Sequence, residues 1–101
     1  MAMTVVLQDE RGVPVDGVDG VVLPGAAIPP SDDPDYTWAA TIDLYGDTTF
    51  NRLQAGLLRL EWRQLLARAA DAKLAAALER VDQLLKRCED GTHRYVKFIG
   101  D

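Results

Sequence analysis

Residues that build chemical sites are scarce in this chain of 101 residues, which contains one cysteine and one histidine. A single cysteine excludes an intramolecular disulfide and suits a reducing compartment. A single histidine leaves a zinc site without its usual set of ligands. Since no nucleophile–base pair or complete phosphate-binding loop is visible either, the sequence indicates no catalytic residue and no cofactor.

Long apolar runs are also missing. No segment approaches the ~20 apolar residues that a membrane-spanning helix needs, and the first ten residues, MAMTVVLQDE, lack the regions of a secretory signal. These absences favour a cytoplasmic protein without membrane contact. The hydrophobic fraction of 48% is that of a globular chain, and 101 residues make one small domain.

Positive charge is almost absent from the first part of the chain. Residues 1–47 hold nine acidic residues and one arginine, a net charge of −8, whereas residues 48–101 carry +3, for a total of −5. Binding to nucleic acid needs a basic surface, so this balance disfavours it. It is compatible with another protein as the partner, in particular a basic one.

The patterns of apolar and turn-forming residues predict the order of elements along the chain. Short strands are expected at 4–8, 13–15 and 21–23, a loop rich in proline at 24–36, and a longer strand at 37–44. The alternation of Trp38, Ala40, Ile42 and Leu44 supports the longer strand.

Two amphipathic helices are predicted at 49–69 and 72–89, followed by a closing strand at 93–99. Asp47 or Thr48 is the expected N-cap of the first helix and Asp71 that of the second. The predicted fold class is α+β, a small sheet with a two-helix hairpin packed on one face. The whole chain forms one domain, in which 37–101 is a strand–helix–helix–strand unit after the acidic segment 1–36.

The helical periodicity also predicts which side chains form the core and which face solvent. The expected core residues are Trp38, Phe50, Leu53, Leu57, Leu78, Val81 and Leu85. Arg52, Arg59 and Arg63 project together on the opposite side of the first helix. Glu61 falls within the apolar arc, where a carboxylate pairs with a cation such as Arg68 or Arg94, or else lies at the edge of the core.

Two segments of the chain resemble other proteins, namely 42–54 (IDLYGDTTFNRLQ) and 95–101 (YVKFIGD). They resemble a group of short uncharacterised bacterial proteins with an Asp-x-Tyr-Gly-Asp-Thr segment and a Phe-Ile-Gly-Asp C-terminus. Leu44 departs from the proline expected at its position. The resemblance implies a bacterial origin and a common architecture, and it brings no activity. Pairing of the two segments would form one surface.

These observations lead to one leading hypothesis and two alternatives. The first is a non-enzymatic protein-binding module, in its most concrete version an immunity or antitoxin-like protein that neutralises a basic toxin. Its expected interaction surface comprises Asp32, Asp33, Asp35, Tyr45, Asp47, Asn51, Arg52 and Asp101. The alternatives are a small enzyme holding a metal between Asp43, Asp47 and Asp101, which requires parallel strands, and a homodimer or larger homo-oligomer.

Overall fold

Strand β1 (Ala2–Asp9) lies at the centre of a four-stranded sheet in the computed structural model, which describes residues 2–100. The other strands are β2 (Val21–Pro24), β3 (Asp47–Phe50) and β4 (Arg94–Ile99). Their order in the sheet is β2–β1–β4–β3, and every neighbouring pair is antiparallel. The closing strand thus inserts between the first strand and β3.

One face of this sheet forms half of the core. Met3, Val5 and Leu7 of β1 are buried because alternate side chains of a strand point to the same face. Val96 and Phe98 of β4 are buried on that face as well. The inward faces of the two central strands therefore consist of alternate residues along each strand.

A helical hairpin covers the inward face of the sheet. It consists of α1 (Arg52–Ala67) and α2 (Ala72–Asp90). Asp71 caps α2, since its carboxylate accepts a hydrogen bond of 2.7 Å from the backbone N–H of Leu74. The second helix and its cap are as the sequence predicted, and the α+β fold class, a small sheet with a two-helix hairpin on one face, is confirmed.

The middle of the core is the contact between Trp62 of α1 and Phe98 of β4. Their ring centroids lie 5.8 Å apart, and Phe50 meets Phe98 edge-on at 5.6 Å. The indole N–H of Trp62 donates a 2.9 Å hydrogen bond to the carbonyl oxygen of Leu78 on α2. A fully buried tryptophan needs such a partner for its polar atom, so this bond links the two helices through the core.

The rotation of α1 about its axis differs from the one predicted. Leu53 and Leu57, expected in the core, are 73% and 44% exposed. The residues that α1 buries are Ala55, Leu58, Trp62 and Leu65. Since leucines occupy both sides of this helix, apolar periodicity alone did not indicate which side is buried. The packing of Trp62 against Phe98 sets the rotation of α1.

The start of α1 also differs from the prediction. Residues 47–50 form β3, so neither Asp47 nor Thr48 caps the helix. The N-cap is Asn51, whose side chain accepts from the N–H of Gln54 at 2.9 Å while the Gln54 side chain accepts from the N–H of Asn51 at 3.0 Å. This reciprocal capping box satisfies two amides that would otherwise lack partners.

Two predicted strands are absent from the described residues. The segment 37–44 contains a 3₁₀ turn at Ala39–Thr41 instead of a strand, and it buries Ala39 and Ile42, three residues apart. Trp38, expected in the core, is half-buried and packs against it. The segment 13–15 forms only one bridge, between Gln8 and Pro14, because proline cannot extend a ladder.

Leucine truncation distinguishes the observed rotation of α1 from the predicted one. Leu58→Ala should lower the free energy of unfolding by about 2–5 kcal/mol, because this side chain is fully buried. Leu57→Ala, the adjacent control, should cost less than about 1 kcal/mol. Urea denaturation of both variants provides the measurement, and a larger loss for Leu57→Ala would contradict the structure.

Substitution of the cap provides a second test. Asn51→Ala should cost about 0.5–2 kcal/mol, and Asn51→Asp should retain most of the stability because it keeps an acceptor. Asp47→Ala should cost about 0–1 kcal/mol, since it removes only a half-exposed pair with Lys97. Thermal or urea denaturation that ranks Asp47→Ala as the more damaging change would contradict this assignment.

Candidate functional site

The long connection between β2 and β3 encloses a cleft. The cleft has a volume of about 820 Å³ and is open on one side; we call it the loop cleft. Residues 24–31 form one wall and residues 40–45 the other. Its main apolar lining residues are Ile28, Pro29, Pro30, Ile42, Leu44 and Tyr45. This size and composition are those of sites that bind a small ligand or a short segment of a partner.

Glu61 of α1 fixes one end of the 40–45 wall. Its carboxylate accepts hydrogen bonds from the backbone N–H groups of Thr37, Trp38 and Ala39, at 3.0–3.1 Å. These amides begin the 3₁₀ turn that leads into the wall, so Glu61 ties the loop to the helix. Glu61 is half-buried at the edge of the core, and its partners are amides rather than the arginines considered from sequence.

A tight turn fixes the other end of the wall. The Asp43 carboxylate accepts from the N–H of Tyr45, and the Asp43 N–H donates to the Thr48 hydroxyl, both at 2.9 Å. The N–H of Gly100 donates to the carbonyl oxygen of Gly46 at 2.7 Å. A Cβ atom on Gly100 would lie 2.6–2.7 Å from three carbonyl oxygens, so only glycine fits there.

The two segments that carry the resemblance are therefore in contact. Strand β3 pairs with β4 in antiparallel register, with Asp47 opposite Ile99 and Phe50 opposite Val96. Tyr45 precedes β3 and Asp47 is its first residue, whereas Asn51 follows its last residue. The two segments pair, but the pairing divides the predicted surface between the two ends of a strand.

The three acidic residues of the predicted surface that lie in the proline-rich loop 24–36 have different environments. Asp32 is exposed, Asp33 accepts from the N–H of Asp35, and Asp35 lies 3.6 Å from the guanidinium of Arg68. Arg68 also donates to the Tyr36 hydroxyl at 3.0 Å, which anchors the loop to the end of α1. Only Asp32 of the three acidic residues has its carboxylate without a protein partner in the described part of the chain.

Among the predicted residues near β3, two have side-chain partners and two are exposed. Asp47 pairs with Lys97 at 3.2 Å, and Asn51 caps α1. Tyr45 is 73% exposed beside the loop cleft, and Arg52 is exposed near the other end of β3. Asp101 lies outside the described residues.

The metal hypothesis assumed parallel strands, whereas β3 and β4 are antiparallel and Asp43 lies in a turn. The antiparallel pairing places Asp47 opposite Ile99, and Gly100 donates to Gly46, so Asp47 lies at the end of the sheet where β4 ends. Since Asp101 lies outside the described residues, the grouping of the three carboxylates stays a prediction. Within residues 2–100, no three Asp, Glu, His or Cys side chains are grouped to hold a metal ion.

A second surface lies on the outward side of α1. Leu53, Leu57 and Leu60 are 73%, 44% and 60% exposed, and their spacing of four and three residues places them in one row. We call this row the leucine face. It lies opposite the side of α1 that packs in the core. Sequence periodicity missed it because Leu53 and Leu57 were assigned to the interior.

The three arginines predicted to form one stripe have different roles. Arg59 is bound by Asp82 and Glu89 of α2, each at 3.0 Å, and the hydrogen bond with Asp82 raises the pKa of its guanidinium. Arg52 and Arg63 are exposed and have no ion pair within residues 2–100. Arg59 therefore joins the two helices, while the other two remain available to a partner.

Cys88 is a buried core residue, whereas His93 is exposed. The Cys88 thiol is fully buried and donates to the carbonyl oxygen of Arg94 at 3.3 Å. Burial raises its pKa to about 11, which removes the thiolate that a nucleophile needs. His93 is exposed next to Glu10, at 3.2 Å, with a left-handed φ of 56°.

Comparisons with models of protein families, with curated proteins and with solved structures found no significant match to this chain. None of the helices described within residues 2–100 has the length and apolar character needed to cross a membrane. The loop cleft and the leucine face are the two candidate binding surfaces within the described residues.

Removal of the Glu61 carboxylate should loosen the loop cleft. Glu61→Ala should cost about 1–3 kcal/mol, because three amides lose a charged acceptor. It should also speed hydrogen exchange at Trp38 and Ala39. Glu79→Ala is the matched control, since this exposed glutamate has no hydrogen-bond partner within residues 2–100, and it should change stability by less than about 0.5 kcal/mol. Unchanged exchange at Trp38 in Glu61→Ala would contradict the proposed role of Glu61.

Proposed function

We propose that this chain is a non-enzymatic protein-binding module, which holds an extended segment of a partner protein in the loop cleft. The observation that carries the proposal is an apolar cleft whose 40–45 wall is already held in place by contacts with Glu61, Thr48 and Gly100. A preformed site of this kind loses little conformational entropy on binding. The bound segment has apolar side chains that fit between Pro29 and Pro30 of the 24–31 wall and Leu44 of the other wall.

The charges around the loop cleft favour a basic partner. Asp43 lines the cleft, and Asp32 follows Ser31, which also lines it. Most of the negative charge of the chain lies in residues 1–47, which include both walls. Complementary charge speeds and orients association, so lysine or arginine next to the apolar anchor would be selected.

The most concrete form of this function is immunity or antitoxin-like neutralisation of a basic toxin in the cytoplasm. A small acidic protein that covers a basic surface needs a rigid contact site and no catalytic group. Tyr45 is the residue best placed to supply a large part of the binding energy, because exposed aromatic side chains at the edge of an apolar pocket often dominate an interface.

Selection from a display library of random peptides tests this function without knowledge of the natural partner. The enriched peptides should combine apolar residues with lysine or arginine. Tyr45→Ala should weaken their binding at least about tenfold, as expected for a hot-spot residue. Val13→Ala, at an exposed apolar position outside the cleft, is the control and should bind like the wild type.

Charge reversal separates the electrostatic contribution to peptide binding from the apolar one. Asp32→Lys should slow association with the selected peptides and leave the melting temperature nearly unchanged, because Asp32 is exposed and unpaired within the described residues. The wild-type association rate should fall as salt is added. Peptides without basic residues, or equal binding to Tyr45→Ala and wild type, would contradict the proposed function.

A further inference from the structure

We propose that the leucine face of α1 is a second binding surface, which takes an amphipathic helix with acidic flanks from a partner protein. This surface consists of Leu53, Leu57 and Leu60, and it is separate from the loop cleft. Binding at this surface does not require the loop cleft, and different variants test it.

Exposure of three leucines in one row requires an explanation. Among residues 2–100, the other large apolar residues with comparable exposure are Val13, Val22 and Tyr45, which belong to different segments. Single exposed apolar residues are common, but a contiguous apolar patch usually marks an interface. The leucine face is the contiguous group among these residues.

The spacing of the leucines fits a helical partner. Positions i, i+4 and i+7 line one side of a helix over two turns, which is the pattern by which amphipathic helices pack. From Leu53 to Leu60 the leucine face extends about 10 Å, at about 1.5 Å per residue. It is therefore long enough for about two turns of a second helix.

The charges beside the leucine face decide which helix fits. Arg52 and Arg63 lie on the same side of the leucines, within about 20° of each other around α1, since they are 11 residues apart. Neither has an ion pair within residues 2–100, whereas Arg59 between them is held by Asp82 and Glu89. The charges available to a partner along this flank are thus positive.

The opposite flank offers no free acidic group in the described structure. Glu61 lies on that side, but its carboxylate is occupied by three backbone amides. An incoming helix with glutamate or aspartate beside its apolar row would pair with Arg52 and Arg63. A helix with lysine at the same positions would meet like charge and lose affinity.

The same charges disfavour a second copy of this chain as the occupant. A twofold antiparallel contact centred on Leu57 would place Leu53 of one copy against Leu60 of the other. It would also place Arg52 of one copy alongside Arg63 of the other. Because this repulsion occurs twice in such a dimer, the partner is a different protein with acidic flanks.

Two designed helical peptides test the proposal directly. Both are about 20 residues long, with leucines repeating at positions a and d. One carries glutamate at the flanking positions and the other carries lysine. Fluorescence anisotropy at low salt should show that the glutamate peptide binds at least about tenfold more tightly to the wild-type chain, as two new charge pairs allow.

Substitutions on α1 should change this preference in defined ways. The double variant Leu53→Ser/Leu60→Ser should lose binding of the glutamate peptide while keeping the wild-type melting temperature, since both side chains are exposed. Arg52→Glu/Arg63→Glu should reverse the preference towards the lysine peptide. Arg11→Glu/Arg80→Glu is the matched control, because it changes the net charge equally at two exposed arginines elsewhere.

Several results would overturn the proposal. Equal binding of both peptides, binding of neither, or the same reversal in the Arg11→Glu/Arg80→Glu control would show that local charge on α1 does not select the partner. A dimer mass in sedimentation equilibrium that is lost in Leu53→Ser/Leu60→Ser would identify a second copy as the occupant instead. A monomer that binds the glutamate peptide through the leucine face supports the proposal.

Discussion

The packing of Trp62 against Phe98 determines how α1 is oriented on the sheet. Trp62 is fully buried, and its N–H is bonded to the carbonyl oxygen of Leu78. A different rotation of α1 would leave this polar atom unpaired and open a large cavity, each at a cost of several kcal/mol. With Trp62 in place, Glu61 faces the loop that follows β2, and Leu57 faces solvent.

The two proposed surfaces follow from this single orientation, and they have opposite charge. The loop cleft belongs to the acidic part of the chain and is held in shape partly by Glu61. The leucine face belongs to the more basic part and is flanked by Arg52 and Arg63. The asymmetry of charge along the sequence is thus also an asymmetry between these two surfaces, and we propose a different kind of partner segment for each.

The sequence predicted those elements whose signals were local. Helix α2 has one clean apolar stripe and the cap Asp71, so its position and inward face followed directly. Helix α1 has leucines on both sides, and its rotation depends on Phe98, far along the chain. The segment 37–44 alternates like a strand. However, the Glu61 carboxylate accepts hydrogen bonds from the backbone amides of residues 37–39, and the segment forms a turn. Such long-range contacts leave no local signal, which is why the loop cleft was not predicted.

Thiol accessibility along α1 tests the central claim, that the fit of Trp62 turns a leucine row towards solvent. Single substitutions Leu53→Cys, Leu57→Cys and Leu60→Cys are compared with Ala55→Cys and Leu58→Cys, and the buried Cys88 serves as an internal unreactive thiol. Labelling of the native protein by a thiol reagent is measured over time. We expect fast labelling at 53, 57 and 60 and strong protection at 55 and 58. Protection at 53, 57 and 60 with fast labelling at 58 would contradict the account.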